Sequence, residues 1–324
     1  MKKIVITGAN GFIGSFLAKE LLKRDFEITC LVRQNSDIML LPSNCNLVRV
    51  DYQNKDQLKK LLKKNEVLIH TAALTKAKNW AEFKKNNIDL TESLLDIYNS
   101  TASLKQFIFL SSQAVSGPSK KFEFKNETDE CLPISKYGKS KLLAEELIQS
   151  KAKKSWTIIR PAAVFGPGDK DFLTYFILIK KHISLFAGNK NKQISLIYVQ
   201  DLVNLIISTL GNKNAFNEIF FASGLDVRLE EFSQNLEKVL QTSSLKITVP
   251  DFLLDIVAIF FEFISLFSKK TSLLNRDKIK EMKQESWLVS NEKAKRILNF
   301  EPAKNLLDNI TATFEWYKEN NWIK

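Results

Sequence analysis

The chain has 324 residues, of which 44% are hydrophobic and 26% charged, a balance that suits a globular protein and excludes both a disordered chain and a polytopic membrane protein. Three scattered cysteines (Cys30, Cys45 and Cys131) and two distant histidines (His70 and His182) supply neither a disulfide framework nor a zinc site. No metal is expected, and the setting reads as reducing and cytoplasmic. The formal charge of +12 is spread along lysine-rich helical stretches without interleaved aromatic residues, so it reads as a solvated surface, with no nucleic-acid partner expected. The opening Met-Lys-Lys-Ile-Val-Ile-Thr-Gly is too short in apolar length for a signal peptide.

In chain order, short apolar runs alternate with longer amphipathic stretches. Lys3 to Thr7, Ile28 to Val32, Leu47 to Val50, Val67 to Thr71, Phe107 to Ser111 and Thr157 to Ile159 read as buried parallel strands. Helical patterns cover Phe12 to Lys23, Asn87 to Ser100 and Ser135 to Lys151. This βαβ alternation predicts an α/β fold, a Rossmann-like doubly wound parallel sheet with a smaller C-terminal substrate-binding lobe. The dinucleotide-binding domain is placed at 1–165 and the lobe mainly at 166–324, with 194–223 returning to the first domain.

Thr7-Gly8-Ala9-Asn10-Gly11-Phe12-Ile13-Gly14 joins the first strand to the first helix. Gly8 and Gly11 allow a tight turn and close approach of backbone amides to a pyrophosphate, Phe12 and Ile13 open the helix, and Gly14 lets it pack on the sheet. At the end of strand two, where an acid would bond a ribose 2′-hydroxyl, stands Arg33, 19 residues past the last glycine. An arginine there pairs with a 2′-phosphate, so NADP(H) is the preferred cofactor expected and NAD(H) the alternative, Asp37 weighing toward the latter. Asp51 is placed to accept from the adenine amino group, with Tyr52 beside it. Ala72 and Ala73 are small where the backbone runs close to the dinucleotide, and His70 reads as a packed strand residue.

Tyr137 and Lys141 are four apart, on one face of a helix. A tyrosine with an ordinary pKa of about 10 becomes usable in proton transfer at neutral pH when a nearby cation lowers it. Lys141 is expected to do that while holding the nicotinamide ribose. Upstream, an apolar strand runs into Ser111 and Ser112, which puts the Ser112 hydroxyl where it bonds the reacting oxygen and orients Tyr137.

Glycine turn, serine strand end and Tyr-x-x-x-Lys, in this order, resemble the extended short-chain dehydrogenase/reductase superfamily in its NAD-dependent epimerase/dehydratase branch. The likeness covers nearly the whole chain, including Arg160-Pro-Ala-Ala-Val-Phe-Gly-Pro-Gly-Asp169 and Tyr198-Val-Gln-Asp201. It implies Ser112, Tyr137 and Lys141 as the catalytic triad, Pro161 and Val164 among the cofactor contacts, an architectural Asn87, and a homodimer formed through helices near Asn87 and Tyr137. Gln113-Ala114 stands where sugar-nucleotide dehydratases of the family carry Asp-Glu, which argues against dehydration. Ala163 and Ile194 stand where nucleotide-sugar epimerases carry an asparagine and an arginine that grip a diphosphate. The 251–267 run holds five phenylalanines and reads as a core-covering helix, a lid over an apolar substrate, or, with Lys269 and Lys270, a peripheral membrane contact over 251–270. The pattern looks nearest to the branch of 3β-hydroxysteroid dehydrogenases and dihydroflavonol reductases. The activity expected is hydride transfer between a nicotinamide cofactor and a secondary alcohol or ketone of an apolar small molecule; the alternative is a nucleotide-sugar epimerase that retains its cofactor.

Overall fold

A computed structural model describes residues 2–256, 276–303 and 305–323. Strands β1 (Lys3–Thr7), β2 (Glu27–Arg33), β3 (Asn46–Val50), β4 (Val67–His70), β5 (Gln106–Leu110), β6 (Trp156–Pro161) and β10 (Glu218–Ala222) form one seven-stranded sheet in the order β10-β6-β5-β4-β1-β2-β3. Every pairing in it is parallel. The order reverses between β1 and β4, and the C-terminal ends of those neighbours open the crevice in which such sheets bind ligands.

Both faces of the sheet are covered, which is why its strands are apolar on both sides. Helices α1 (Phe12–Lys23) and α7 (Val199–Ser208) pack together and close one core with Ile4, Ile6, Leu17, Leu21, Leu202 and Ile206. Helices α2 (Lys55–Leu62), α4 (Leu90–Ser100) and α5 (Lys136–Lys151) close the other with Val5, Leu68, Leu94, Tyr98, Phe107 and Ile148. A short helix α3 (Trp80–Phe83) and a π-helical turn (Lys84–Asp89) lead into α4, so the expected helix from Asn87 begins as a wider turn.

The smaller lobe has two sheets of its own. β9 (Gln193–Tyr198) is flanked by β7 (Ala163–Phe165), β11 (Leu225–Arg228) and β13 (Ser286–Trp287), while β8 (Ile183–Ala187) pairs in parallel with β12 (Leu245–Val249). The 194–223 segment divides between the two bodies: β9 stays with the lobe, and only α7 and β10 rejoin the large sheet. Helices α6 (Leu173–Lys180), α8 (Leu229–Val239) and α11 (Leu306–Glu319) enclose an aromatic core around Phe165, Phe172, Phe176, Phe232 and Tyr317; α9 (Arg276–Lys283) precedes β13, and α10 (Glu292–Leu298) packs against β10 and α7 of the large sheet. Of the 251–267 run, only a helical stretch at 251–256 falls within the described residues. Among the described residues no helix is long and apolar enough to cross a membrane.

Candidate active site

The glycine turn sits at the open end of β1. Gly8 has φ +70°, and a Cβ there would lie 2.6 Å from the Ala72 backbone, so the turn and the loop after β4 approach at a distance only glycine allows. A Cβ on Gly14 would overlap the Gly8 carbonyl, which fixes how closely α1 packs on the turn. Gly11 gives α1 no side-chain cap, and its first turn carries no acid, so the leading amides of Phe12, Ile13 and Gly14 are left for an anion. This cradle fits a dinucleotide pyrophosphate.

The adenosine side of the cradle departs in part from expectation. Tyr52 does not stand out beside Asp51: its buried hydroxyl donates to Leu31 O at 3.0 Å and accepts the Gly8 amide at 3.4 Å, bracing the turn from below. Burial pushes its phenol up to about 12, with the Gly8 bond partly opposing. Asp51 is exposed, and its carboxylate accepts from Gln53 N at 2.9 Å. Arg33 ends β2, exposed, donating to Asn86 Oδ1 at 3.1 Å. Arg49, across the strand on β3, donates to Arg33 O, Gln34 O and Ser36 O and so shapes the loop in which a 2′-substituent would lie. Asp37 spends its carboxylate on Met39 N at 2.9 Å, and its carbonyl accepts from Asn10 at 3.0 Å.

His70 is fully buried, with Nδ1 2.7 Å from Thr7 Oγ1 and Nε2 3.1 Å from Thr91 Oγ1. Burial first, and Lys141 second, pull its pKa down to about 3, so it is a neutral structural imidazole. Asn87, also buried, clasps Leu74 through both amide atoms and donates to Ser140 Oγ at 2.9 Å, tying the loop after β4 to α5. Pro161 ends β6 opposite Ala222, and Val164 on β7 packs against the core beneath.

At the C-terminal end of β5, Ser112 lies close enough to Tyr137 to draw its phenol down, while its hydroxyl accepts the Ala114 amide at 3.1 Å. Tyr137 lies in the first turn of α5, whose cap, Ser135, accepts Gly138 N at 3.0 Å. A Cβ at Gly138 would overlap the Ala114 carbonyl, so this glycine lets the helix press against the serine loop. One turn on, Lys141 is 1% exposed, donates to Leu110 O at 2.6 Å and sits 3.8 Å above the Phe109 ring.

The electrostatics correct one expectation. Lys141 does not lower Tyr137 here: burial pushes the phenol up to about 12, Ser112 pulling it down and Glu281 adding to the rise. The reason is burial of both partners. Desolvation brings Lys141 itself down to about 7, against the opposing pull of Glu145, and a lysine near neutrality at pH 7 is only a part-time cation. Glu145, fully buried one further turn along, is held by Arg160 of β6 through Nε–Oε1 at 3.1 Å and Nη2–Oε2 at 2.6 Å.

A family profile for the NAD-dependent epimerase/dehydratase family matches residues 4–220. The chain belongs to that family. Within it, UDP-glucose 4-epimerase of Vibrio cholerae is 32% identical over 271 residues, 77% of this chain and 79% of that protein. Ceramide reductase of Caulobacter vibrioides is 24% identical over 327 residues, 99% of this chain and 96% of that protein. Among solved structures, UDP-glucuronic acid 4-epimerase from Bacillus cereus in complex with UDP-glucuronic acid and NAD has a TM-score of 0.79 at 24% identity, covering 98% of this chain and 99% of that one. This family member is an enzyme of the nicotinamide-dependent epimerase and dehydrogenase type, and both the oxidoreductase and the epimerase reading are compatible with it.

Sequence reasoning missed Arg49, Asn86 and Glu281. Arg49 was signalled only by its place on the strand beside Arg33, and Asn86 and Glu281 only by contacts across the fold.

Proposed function

We propose that this family member transfers a hydride between NADP(H) and a secondary alcohol or ketone on an apolar molecule. The observation that carries the chemistry is the Ser112–Tyr137 hydroxyl pair with Lys141 beneath it, at the strand ends that face the glycine cradle. When bound, the nicotinamide supplies or accepts the hydride. Tyr137 donates its proton to the carbonyl oxygen during reduction, Ser112 holds that oxygen, and Lys141 bonds the ribose and steadies the tyrosinate left behind. The raised Tyr137 pKa keeps the donor protonated until a substrate oxygen takes the proton.

The apolar substrate is supported by what occupies the lobe. Ala163 and Ile194 pack with its apolar core, Lys192 is buried and donates to Met282 O at 2.6 Å, and Arg228 and Arg296 are exposed. A diphosphate would need a bidentate cation at that place. The resemblance to ceramide reductase over 99% of the chain points the same way. The epimerase reading keeps the support of the 32% identical relative. NADP(H) preference rests on Arg33 and on an Asp37 carboxylate engaged within its own loop.

Phe252, Leu253 and Ile256 are exposed, in line with peripheral contact of 251–270 with a lipid surface; flotation with anionic vesicles tests this. Light scattering tests the homodimer proposed through α4 and α5.

The enzyme is tested by mixing it with NADPH or NADH and hydrophobic ketones while following nicotinamide absorbance. A stoichiometric change that Tyr137→Phe abolishes, with tighter NADPH binding lost in Arg33→Ala, is the expected result. Interconversion of a nucleotide sugar with no net absorbance change selects the epimerase, and full turnover in Tyr137→Phe refutes the mechanism.

A further inference from the structure

Helix α9 (Arg276–Lys283) belongs to the substrate lobe, yet it brings two carboxylates onto the N-terminus of the catalytic helix. Glu281 Oε1 accepts the Ser135 hydroxyl at 2.7 Å, and Asp277 Oδ2 accepts the Lys136 amide at 3.2 Å. Ser135 is 5% exposed and is itself the cap that accepts Gly138 N at 3.0 Å. A chain of hydrogen bonds therefore runs from Glu281 through the Ser135 hydroxyl to the first turn of α5, where Tyr137 sits. Glu281 is in turn held in place: its carbonyl accepts Trp287 Nε1 at 3.0 Å, and its other carboxylate oxygen faces Lys278 at 3.4 Å.

We propose that Glu281 is a positioning residue for proton transfer, through which the substrate lobe holds the first turn of the catalytic helix. This rests on Tyr137 being the proton-transfer residue.

Two physical effects combine. A hydroxyl that donates to a carboxylate becomes a better acceptor, so the Glu281 bond strengthens the Ser135 cap, and two acids at a helix N-terminus oppose the positive end of its dipole. Across space, a carboxylate near a phenol disfavours the phenolate. The other groups around Tyr137 are Ser112 from the end of β5, the Phe83 ring, and Lys141 one turn along its own helix; Asp277 and Lys278 flank Glu281 on α9. In reduction the enzyme needs a protonated donor, and Glu281 favours it. The sequence motif of tyrosine and lysine contains no trace of this residue, which lies 144 positions beyond Tyr137.

The test uses the full chain labelled with 3-fluorotyrosine and titrated by fluorine NMR without substrate, the Tyr137 resonance being assigned by its loss in Tyr137→Phe. Glu281→Gln keeps an acceptor for Ser135 but removes the charge, so the Tyr137 midpoint should fall by about half a pH unit. Ser135→Ala keeps the charge and breaks the link, so amide exchange at Gly138 should quicken several-fold while the midpoint moves less. A midpoint in Glu281→Gln equal to that of the parent protein, or unchanged Gly138 exchange in Ser135→Ala, overturns the proposal. Neither readout depends on turnover, so a failure here is distinct from a failure of Tyr137→Phe to abolish catalysis.

Discussion

Replacing Glu145 by alanine puts the electrostatics beneath the active site to a direct test. Glu145 has no exposed surface and Arg160 is 3% exposed; the guanidinium meets the carboxylate through contacts of 3.1, 3.2 and 2.6 Å. Removing the carboxylate leaves a buried cation whose remaining side-chain hydrogen-bond partner among the described residues is Cys131 Sγ at 3.3 Å, a weak acceptor, with the Phe221 ring 5.5 Å away. Breaking a buried pair from one side costs about 3–5 kcal/mol, because the surviving charge keeps its desolvation penalty and loses its partner. Equilibrium unfolding in denaturant, followed by circular dichroism, measures the loss. The double variant Glu145→Leu with Arg160→Met should recover most of it, since no charge is then left buried. Lys151–Glu92, an ion pair between α5 and α4 with both side chains well exposed, is the internal control, and Glu92→Gln should cost nothing measurable. If Glu145→Ala costs no more than Glu92→Gln, the pair is not desolvated in the way argued.

Lys141 gives a pH signature. Its pKa falls on folding to about 7 from the ordinary lysine value of 10.5, so between those values the unfolded chain binds more protons than the folded one, and this group makes stability rise with pH across that window. Unfolding measured at several pH values in that window should show a flatter slope in Lys141→Met, and parallel curves would contradict the assigned burial effect. Gly14→Ala, whose Cβ meets the Gly8 carbonyl, should weaken dinucleotide binding by more than about tenfold in a fluorescence titration; unchanged affinity would show that the turn does not hold the cofactor.

Much of the nucleotide-binding half was legible along the chain, because its signals are local. Near-continuous apolar runs of four or five residues such as Lys3–Thr7 and Val67–His70, alternating with longer amphipathic stretches, read as buried parallel strands, and a glycine turn between strand and helix carries its own backbone requirement. That Tyr137 and Lys141 share one helix was legible through helical periodicity, and the burial of His70 through its apolar surroundings. The direction of the Tyr52 side chain was hidden because adjacency to Asp51 says nothing of which way a side chain turns; the hydroxyl found Leu31 O and Gly8 N across the sheet. The split of 194–223 was equally hidden, since β9 and β10 look alike as apolar strands and are sorted only by the partners they meet.

The order of elements, the glycine turn between β1 and α1, and the placing of Tyr137 and Lys141 one turn apart on one helix were determined by the sequence, through spacing and backbone chemistry acting over a few residues. The state of those residues was decided by tertiary structure alone. Whether Lys141 is a cation, whether Tyr137 holds its proton, and that Glu281 reaches the Ser135 cap all depend on burial and on charges far apart in the chain, and folding alone brings these together.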